Sequence, residues 1–435
     1  MSAGKPARRA LGLGAWLALS ALGPSAFAAE RLTIEDVSKL VVATGPELAA
    51  ARERAQAAAE QSKSSFGKLL PSVRVSDEYQ HWDSPFAFTT SPAAPPLTVR
   101  ERDTNTFTAS AQQPLVGLFA RHQEYKARKV GAEAAAQGIR AGESDARESV
   151  ELEFLRYFEA KTRGDIARAS AQELDVQVQE TEARVKAGTL TKADLLRVSV
   201  AASTARQQGI VAEANATVSK ATLLVAIGRS PDDPSVEFVA PTALLAQGDM
   251  RAPDPAAVEA KRAEIQQAKL KAASAEHEAS ARQLGLLPEV NLQGAYIRTD
   301  GSLFSPPNAA FVGVKADWAI WEWGSKVAAK NAAAAEARAA ALEVDSTRRR
   351  VKAEVTGRKA ELTAAASAVA LAQETIVSAE EAYRVTTALV RAGSGTTTDL
   401  LAAESALTQA RLSLEQARYA QAASRIRLER AAGNH

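Results

Sequence analysis

The chain contains the same unit twice, and this duplication constrains its fold more than any other feature. Ala187 to Leu196 (AGTLTKADLL) recurs as Ala392 to Leu401 (AGSGTTTDLL), with six of ten residues identical at an offset of 205. The same offset carries Gly228 onto Gly433. Upstream, Leu70-Pro71-Ser72-Val73 and Tyr79 recur as Leu287-Pro288-Glu289-Val290 and Tyr296 at an offset of 217. A tandem repeat of about two hundred residues must be read through the plan of one unit.

Each unit reads as helix, strand pair, very long helix and returning helix. In the first, Pro46 opens a helix that runs to about Lys68, proline being well placed at a first helical position. Val73, Val75 and Tyr79 alternate with polar residues, and Asn105, Phe107, Ala109 and Ala111 alternate with Thr and Ser, both at the strand period of two. Ser84 to Asp103, rich in Pro, Ser and Thr, reads as an exposed loop. The second unit repeats the plan: a helix from Glu264, a strand from Val290, a shorter loop over Thr299 to Asn308 and a returning strand over Phe311 to Ile320. From Arg121 to Ala187, and again from Lys326 to Ala392, there is no proline. At 1.5 Å rise per residue each stretch gives about 100 Å of helix.

The long second helix carries Val355, Leu362, Val369, Ile376, Tyr383 and Val390 seven apart, with Ala365, Ala372 and Ala379 as small companions. The last helix sets Leu400, Leu407, Leu414 and Leu428 against Ala403, Ala410, Ala417, Ser424 and Ala431. A large/small seam of period seven specifies close-packed supercoiled helices. At the duplicated reversals, Gly188 and Gly393 suit a positive φ beyond a helix end. Thr191 and Thr396 are then N-caps, and Asp194 and Asp399 complete capping boxes at N3. The exposed tips are Arg184, Lys186, Gly188, Thr189 and Leu190 in the first repeat, and Arg391, Gly393, Ser394 and Thr397 in the second.

Residues 1–28 read as a secretory signal: Lys5, Arg8 and Arg9, an apolar run from Leu11 to Leu22, then Ala26-Phe27-Ala28. Its removal takes the formal charge from +2 to −1, which leaves no electrostatic footprint for nucleic acid. The remaining boundaries are a first repeat over 29–235, a linker or equatorial segment over 236–256 and a second repeat over 257–435. There is no cysteine, hence no thiolate nucleophile or thiolate metal site. No later run reaches eighteen consecutive apolar residues, so no transmembrane helix is expected and any crossing must use strands. The four histidines, His81, His122, His277 and His435, form no metal-binding spacing. No Walker or dinucleotide motif and no nucleophile–base set is present. Arg348-Arg349-Arg350 fits a solvated helix face. No catalysis, cofactor or metal is expected.

Four strands of about ten residues match tilted membrane strands. Four cannot close around a lumen, and an open edge in lipid is excluded, so strands from several copies must join. Trp318, Trp321, Trp323 and Phe119 at the strand-to-helix junctions, and Trp82 at the loop end, suit two aromatic girdles. The competing reading is a periplasmic coiled-coil adaptor or structural protein that never enters the membrane.

The signal, the duplicated plan, the A-G-x-x-T-x-x-D-L-L tips, the Leu-Pro-x-Val strand entries and the exit Ile320-Trp321-Glu322-Trp323-Gly324 together resemble the TolC-like outer-membrane efflux channels. The resemblance spans about residues 30 to 433. It implies a mainly α fold with membrane β: a homotrimer whose twelve strands, four per chain, form one outer-membrane barrel continuous with a long periplasmic α-helical barrel. It also implies outer-membrane lipids, a periplasmic membrane-fusion adaptor and an inner-membrane pump or exporter as partners, with the chain a passive duct for efflux or type I secretion. By motif, Asp399 matches the family's periplasmic gate aspartate. A second family aspartate is Ala402 here, and a tyrosine near the tip is replaced by Val390 and Arg391.

Overall fold

The computed structural model describes residues 30–89, 91, 93, 95–246 and 254–434. The signal expected over 1–28 lies outside the described residues, as does part of the linker, 247–253. The elements run β1 (Glu30–Leu32), α1 (Ile34–Thr44), α2 (Pro46–Gly67), β2 (Ser72–His81), β3 (Phe86–Phe88), β4 (Leu97–Pro114), α3 (Gly117–Lys186), α4 (Lys192–Ala226) and β5 (Val236–Phe238). They continue α5 (Thr242–Leu245), α6 (Pro255–Lys261), α7 (Ala263–Leu284), β6 (Glu289–Ser302), β7 (Asn308–Asp317), α8 (Ser325–Arg391) and α9 (Thr397–Ala431).

The long helices α3 and α8 have 70 and 67 residues, about 105 and 100 Å. Each has two shorter partners in line. The strand half of α3 is flanked by α2 and the tip half by α4, while α7 and α9 divide α8 in the same way. The short helices meet end to end. In repeat 1 the Thr44 hydroxyl donates to the Ile227 carbonyl at 2.7 Å. In repeat 2 Arg262 donates to the carbonyls of Arg430 and Ala431. Between the tips and this joint the helices lie in the order α4–α3–α9–α8, so α4 and α8 hold the two flanks of the layer.

Burial follows the large/small seam. Leu400, Leu407, Leu414 and Leu428 are buried on α9 together with Ala410, Ser424 and Ala431. On α8 Leu362 is buried, and Val355, Val369, Ile376, Tyr383 and Val390 are half-buried. The most extensive buried cluster lies at the belt. There the parallel pair β1–β5 brings Leu32, Val236 and Phe238 against Val37, Phe154, Phe158, Leu223 and Tyr419.

The larger sheet has the order β2-β4-β6-β7, with β3 beside β4, and every pairing is antiparallel. β4 and β6 are longer than their sequence patterns suggest. Within the expected loop 84–103, Phe86–Phe88 pairs with Leu97–Arg100, so the hairpin continues beyond β2. Phe88 lies beside Leu97, and Val99 is buried; these residues stand among Pro and Ser that read as loop. β6 continues to Ser302, which shrinks the second loop to 303–307, and β7 ends at Asp317 rather than Ile320.

α8 contains an 18-residue window apolar enough by length and composition to cross a bilayer, yet only 6% of it is buried. Alanine accounts for this, because a run of alanines raises mean hydropathy without the bulk of a core.

Candidate functional site

Three regions carry the molecule's working surfaces: the sheet, the helical tips and the belt. The register gives the sheet two chemically different faces. Val73 lies beside Ala111 and Val75 beside Ala109, and Ala109 in turn lies beside Tyr296. Leu292 lies beside Val314 and Gly294 beside Val312. Over these positions the face is apolar and uncovered, with Val312 82% exposed; toward the loop end it turns polar, where Asp77 and Arg298 flank Phe107. The opposite face presents Arg74, Ser76, Glu78, Ser110, Thr108, Thr106, Gln293 and Lys315, with Ile297 and Phe311 as apolar exceptions. A sheet with a bare apolar face and a wet polar face suits a wall between lipid and an aqueous lumen. Its outer strands, β2 and β7, are both ten residues long and each has one unpaired edge.

The aromatic residues fall at the ends of this wall. Phe119, Trp318, Trp321 and Trp323 are all more than 60% exposed at the helix end, and Trp321 and Trp323 meet edge to face. Trp323 takes φ 52, followed by Gly324 at φ 78, and this left-handed pair turns β7 into α8. Trp82 behaves differently. Its indole N–H donates to Thr104 Oγ1 at 3.2 Å, and the Arg100 guanidinium sits 3.6 Å from its ring centroid. It is braced by its own chain and half-buried.

At the tips, both reversals use one local chemistry. Gly188 and Gly393 take φ +76 and +80, and their N–H groups donate to Val185 and Val390. The next N–H, of Thr189 or Ser394, reaches the carbonyl of Arg184 or Leu389. These bonds satisfy the orphan carbonyls of the helix ends. The hydroxyls of Thr189 and Ser394 donate to the same two carbonyls at 3.0 and 3.2 Å. On the return side the Thr191 and Thr396 hydroxyls accept from the N–H of Asp194 and Asp399 and donate to their carboxylates at 2.6 Å. Both capping boxes are complete.

The two aspartates nevertheless differ. Asp194 also accepts from Arg197 at 3.1 Å and is partly covered. The residue 205 further on from Arg197 is Ala402, so Asp399 has no guanidinium and stands exposed. Hydrogen bonds from the Thr396 hydroxyl and amide hold the Asp399 carboxyl below its ordinary range.

Of the tip set, Lys186, Gly188, Thr189, Arg391, Gly393 and Ser394 are exposed, while Arg184 and Leu190 are half-covered. Thr397 departs from expectation at 7% exposure. At the first position of α9 it lies in the wall of a groove between the two hairpins and drops from the exposed set. That groove, about 840 Å³, is lined by Glu173, Glu180, Arg184, Leu190, Tyr383 and Arg391 among others.

Two polar features had no sequence signature. Glu404 is buried inside the α9 seam, where it accepts from Ser170 Oγ at 2.6 Å and Thr408 Oγ1 at 2.9 Å, tying α9 to α3. At the belt, Arg262 and Arg430 gather carboxylates from three helices. Among the described residues no group of His, Asp and Glu has a metal-holding arrangement.

Comparison with known proteins agrees with this architecture. The family described as Outer membrane efflux protein matches residues 37–229 and 255–434. No curated protein sequence matches. Among solved structures, the chain resembles CusC, described with conformational changes accompanying folding and transmembrane channel formation, at TM-score 0.81 and 14% identity, covering 92% of each chain. It resembles the Campylobacter jejuni CmeC outer membrane channel at TM-score 0.81 and 14% identity, covering 92% of this chain and 85% of that one. It resembles the outer membrane protein VceC of Vibrio cholerae at TM-score 0.78 and 16% identity, covering 92% and 96%. At these identities the structural likenesses establish the fold.

Proposed function

The chain belongs to the outer membrane efflux protein family, and from that premise we propose that three copies close into one passive duct that a separate pump energises. It is an outer-membrane efflux channel with a large periplasmic helical part. The two-faced sheet with two bare edges supports closure between copies, and the number three comes with the family. β2 and β7 match in length and run in opposite directions, so β7 of one copy can pair with β2 of the next, and three sets of four strands remove every edge. The helical flanks support the same closure. Leu371, Val377 and Val385 on α8 and Val200, Val211, Val218 and Val225 on α4 are exposed in one chain, the last three on α4 at heptad spacing. Each flank has the apolar stripe the other requires.

In this arrangement the hairpin tips and the groove between them receive a helical adaptor, and Asp399 from three copies forms an anionic ring at the periplasmic entrance. The exposed junction aromatics Phe119, Trp318, Trp321 and Trp323 sit at the inner interface of the membrane, with Trp82 at the outer rim. Cell fractionation tests the placement: the protein is expected in outer membranes as a trimer, and a soluble periplasmic monomer would overturn the reading. Photocrosslinkers at Thr189 and Ser394 are expected to trap a periplasmic adaptor. No capture in cells would remove docking through the tips.

A further inference from the structure

The belt holds a charge cluster that conduction leaves unused. Asp145 and Glu148 of α3, Glu264 of α7 and Glu354 of α8 converge on Arg262 and Arg430, whose side chains are only 5% and 13% exposed. Arg262 donates to Glu264 at 3.0 Å and Glu354 at 2.9 Å, and its remaining reach goes to the end of α9 through the carbonyls of Arg430 and Ala431. Arg430 donates to Glu354 at 2.8 Å, Glu264 at 2.9 Å and, through Nε at 3.0 Å, Asp145.

Three carboxylates and two carbonyls therefore engage every nitrogen of both guanidinium groups. Glu148 is left with a 3.6 Å approach to the same Arg430 Nε. The next cation, Arg358 of α8, is engaged by both oxygens of Glu361 at 2.9 and 3.2 Å. Arg52 of α2 is engaged by Glu143, and Arg425 and Glu429 of α9 pair with each other. Four carboxylates pair with these two guanidiniums, beside a cavity that Arg140, Arg147 and Lys261 also line. The matching joint of repeat 1 is neutral, closed by Thr44 and Ile227.

We propose that Glu148 is a proton-binding site that makes the repeat-2 joint, where α9 meets α7 between α3 and α8, tighten on mild acidification. A proton there neutralises the one carboxylate held only by the 3.6 Å approach and leaves the carboxylate–guanidinium hydrogen bonds intact. Burial pushes the Glu148 carboxyl above its ordinary value, against the pull of Arg430 and Arg358, and Asp145 and Glu354 push the same way as burial. The folded joint thus takes up the proton at a higher pH than the open one. The resulting stabilisation is complete below the ordinary glutamate value and is lost as pH rises through the folded value.

Amide hydrogen exchange on the full-length trimer tests this at the joint itself, independently of conduction. The probes are the amides of Leu428 to Asn434 and Ala263 to Gln266, compared between pH 7 and about pH 5 after correction for intrinsic rates. One proton can suppress opening by up to about tenfold per pH unit across the window. Wild type is expected to show that added protection, and E148Q to be protected already at pH 7 and flat with pH. E354Q, which leaves guanidinium donors unpaired, should open the joint at pH 7. A joint that opens more in E148Q than in wild type at pH 7 would make Glu148 a needed anion and overturn the proposal. Equal pH slopes in the two proteins, or failure of E148Q to assemble, would overturn it as well, because the proposal has the site prefer a neutral side chain.

Discussion

At the scale of single residues, the two repeats are most informative where they differ. Asp194 and Asp399 occupy identical capping boxes, yet Arg197 neutralises the first and Ala402 leaves the second bare. Asparagine at either position keeps an oxygen for the cap. If Asp399 acts only as a cap, D399N and D194N should behave alike in planar bilayers. If Asp399 lines the narrow entrance, D399N should weaken cation selectivity and block by multivalent cations, while D194N changes little, because a ring of carboxylates favours cations. The pH dependence has a defined sign. Hydrogen bonds from Thr396 lower the Asp399 value, so the ring stays ionised as pH falls through the ordinary aspartate value of about 3.9. Selectivity in the wild type is expected to persist to below that pH. Equal, negligible effects of both substitutions would leave Asp399 as a helix cap.

At the scale of elements, sequence legibility follows the range of the interaction. The tips were legible because glycine, threonine and aspartate lie within six residues of one another, and the duplication shows them twice. The α9 seam was legible because Leu407, Ala410 and Leu414 are fixed by helical period alone. The length of β4 was not, since Leu97 pairs with Phe88 and Arg100 with Phe86 across prolines that read as loop. Nor was the belt: Asp145, Glu264, Glu354 and Arg430 come from segments up to 285 residues apart, and charges on long helices look solvated until packing brings them together. Glu404 sits inside an otherwise small and apolar stripe, and only its Ser170 partner explains it. The seam gives a direct test. Ala410 is 4% exposed, so A410F must force α9 away from its neighbours and cost on the order of 1–3 kcal/mol per chain. Thermal midpoints of the purified assembly should fall, and an unchanged midpoint would refute close packing at that position.

At the scale of the whole molecule, the question is which side of the sheet meets lipid, and the register turns it into a paired experiment. Val312 lies mid-strand on the apolar face, in line with Gly294 and Ala111. Ser76 lies mid-strand on the polar face, in line with Thr108. Both are near the edges that copies must share, so proximity to the seam does not distinguish them, whereas the solvent they face does. Arginine on the lipid side near the bilayer midplane costs roughly 2–4 kcal/mol, a penalty that three-fold assembly applies three times. V312R is therefore expected to fail to insert, with little trimer recovered from outer membranes. S76R faces water in the lumen and should assemble normally while shifting ion selectivity toward anions, as a ring of positive side chains does. The expected pattern requires both halves. A soluble helical adaptor carrying an incidental sheet would tolerate V312R at least as well as S76R, because an arginine on its most exposed apolar strand only improves solvation. If V312R assembles and conducts like the wild type, the barrel wall is placed wrongly and the closure of twelve strands falls with it.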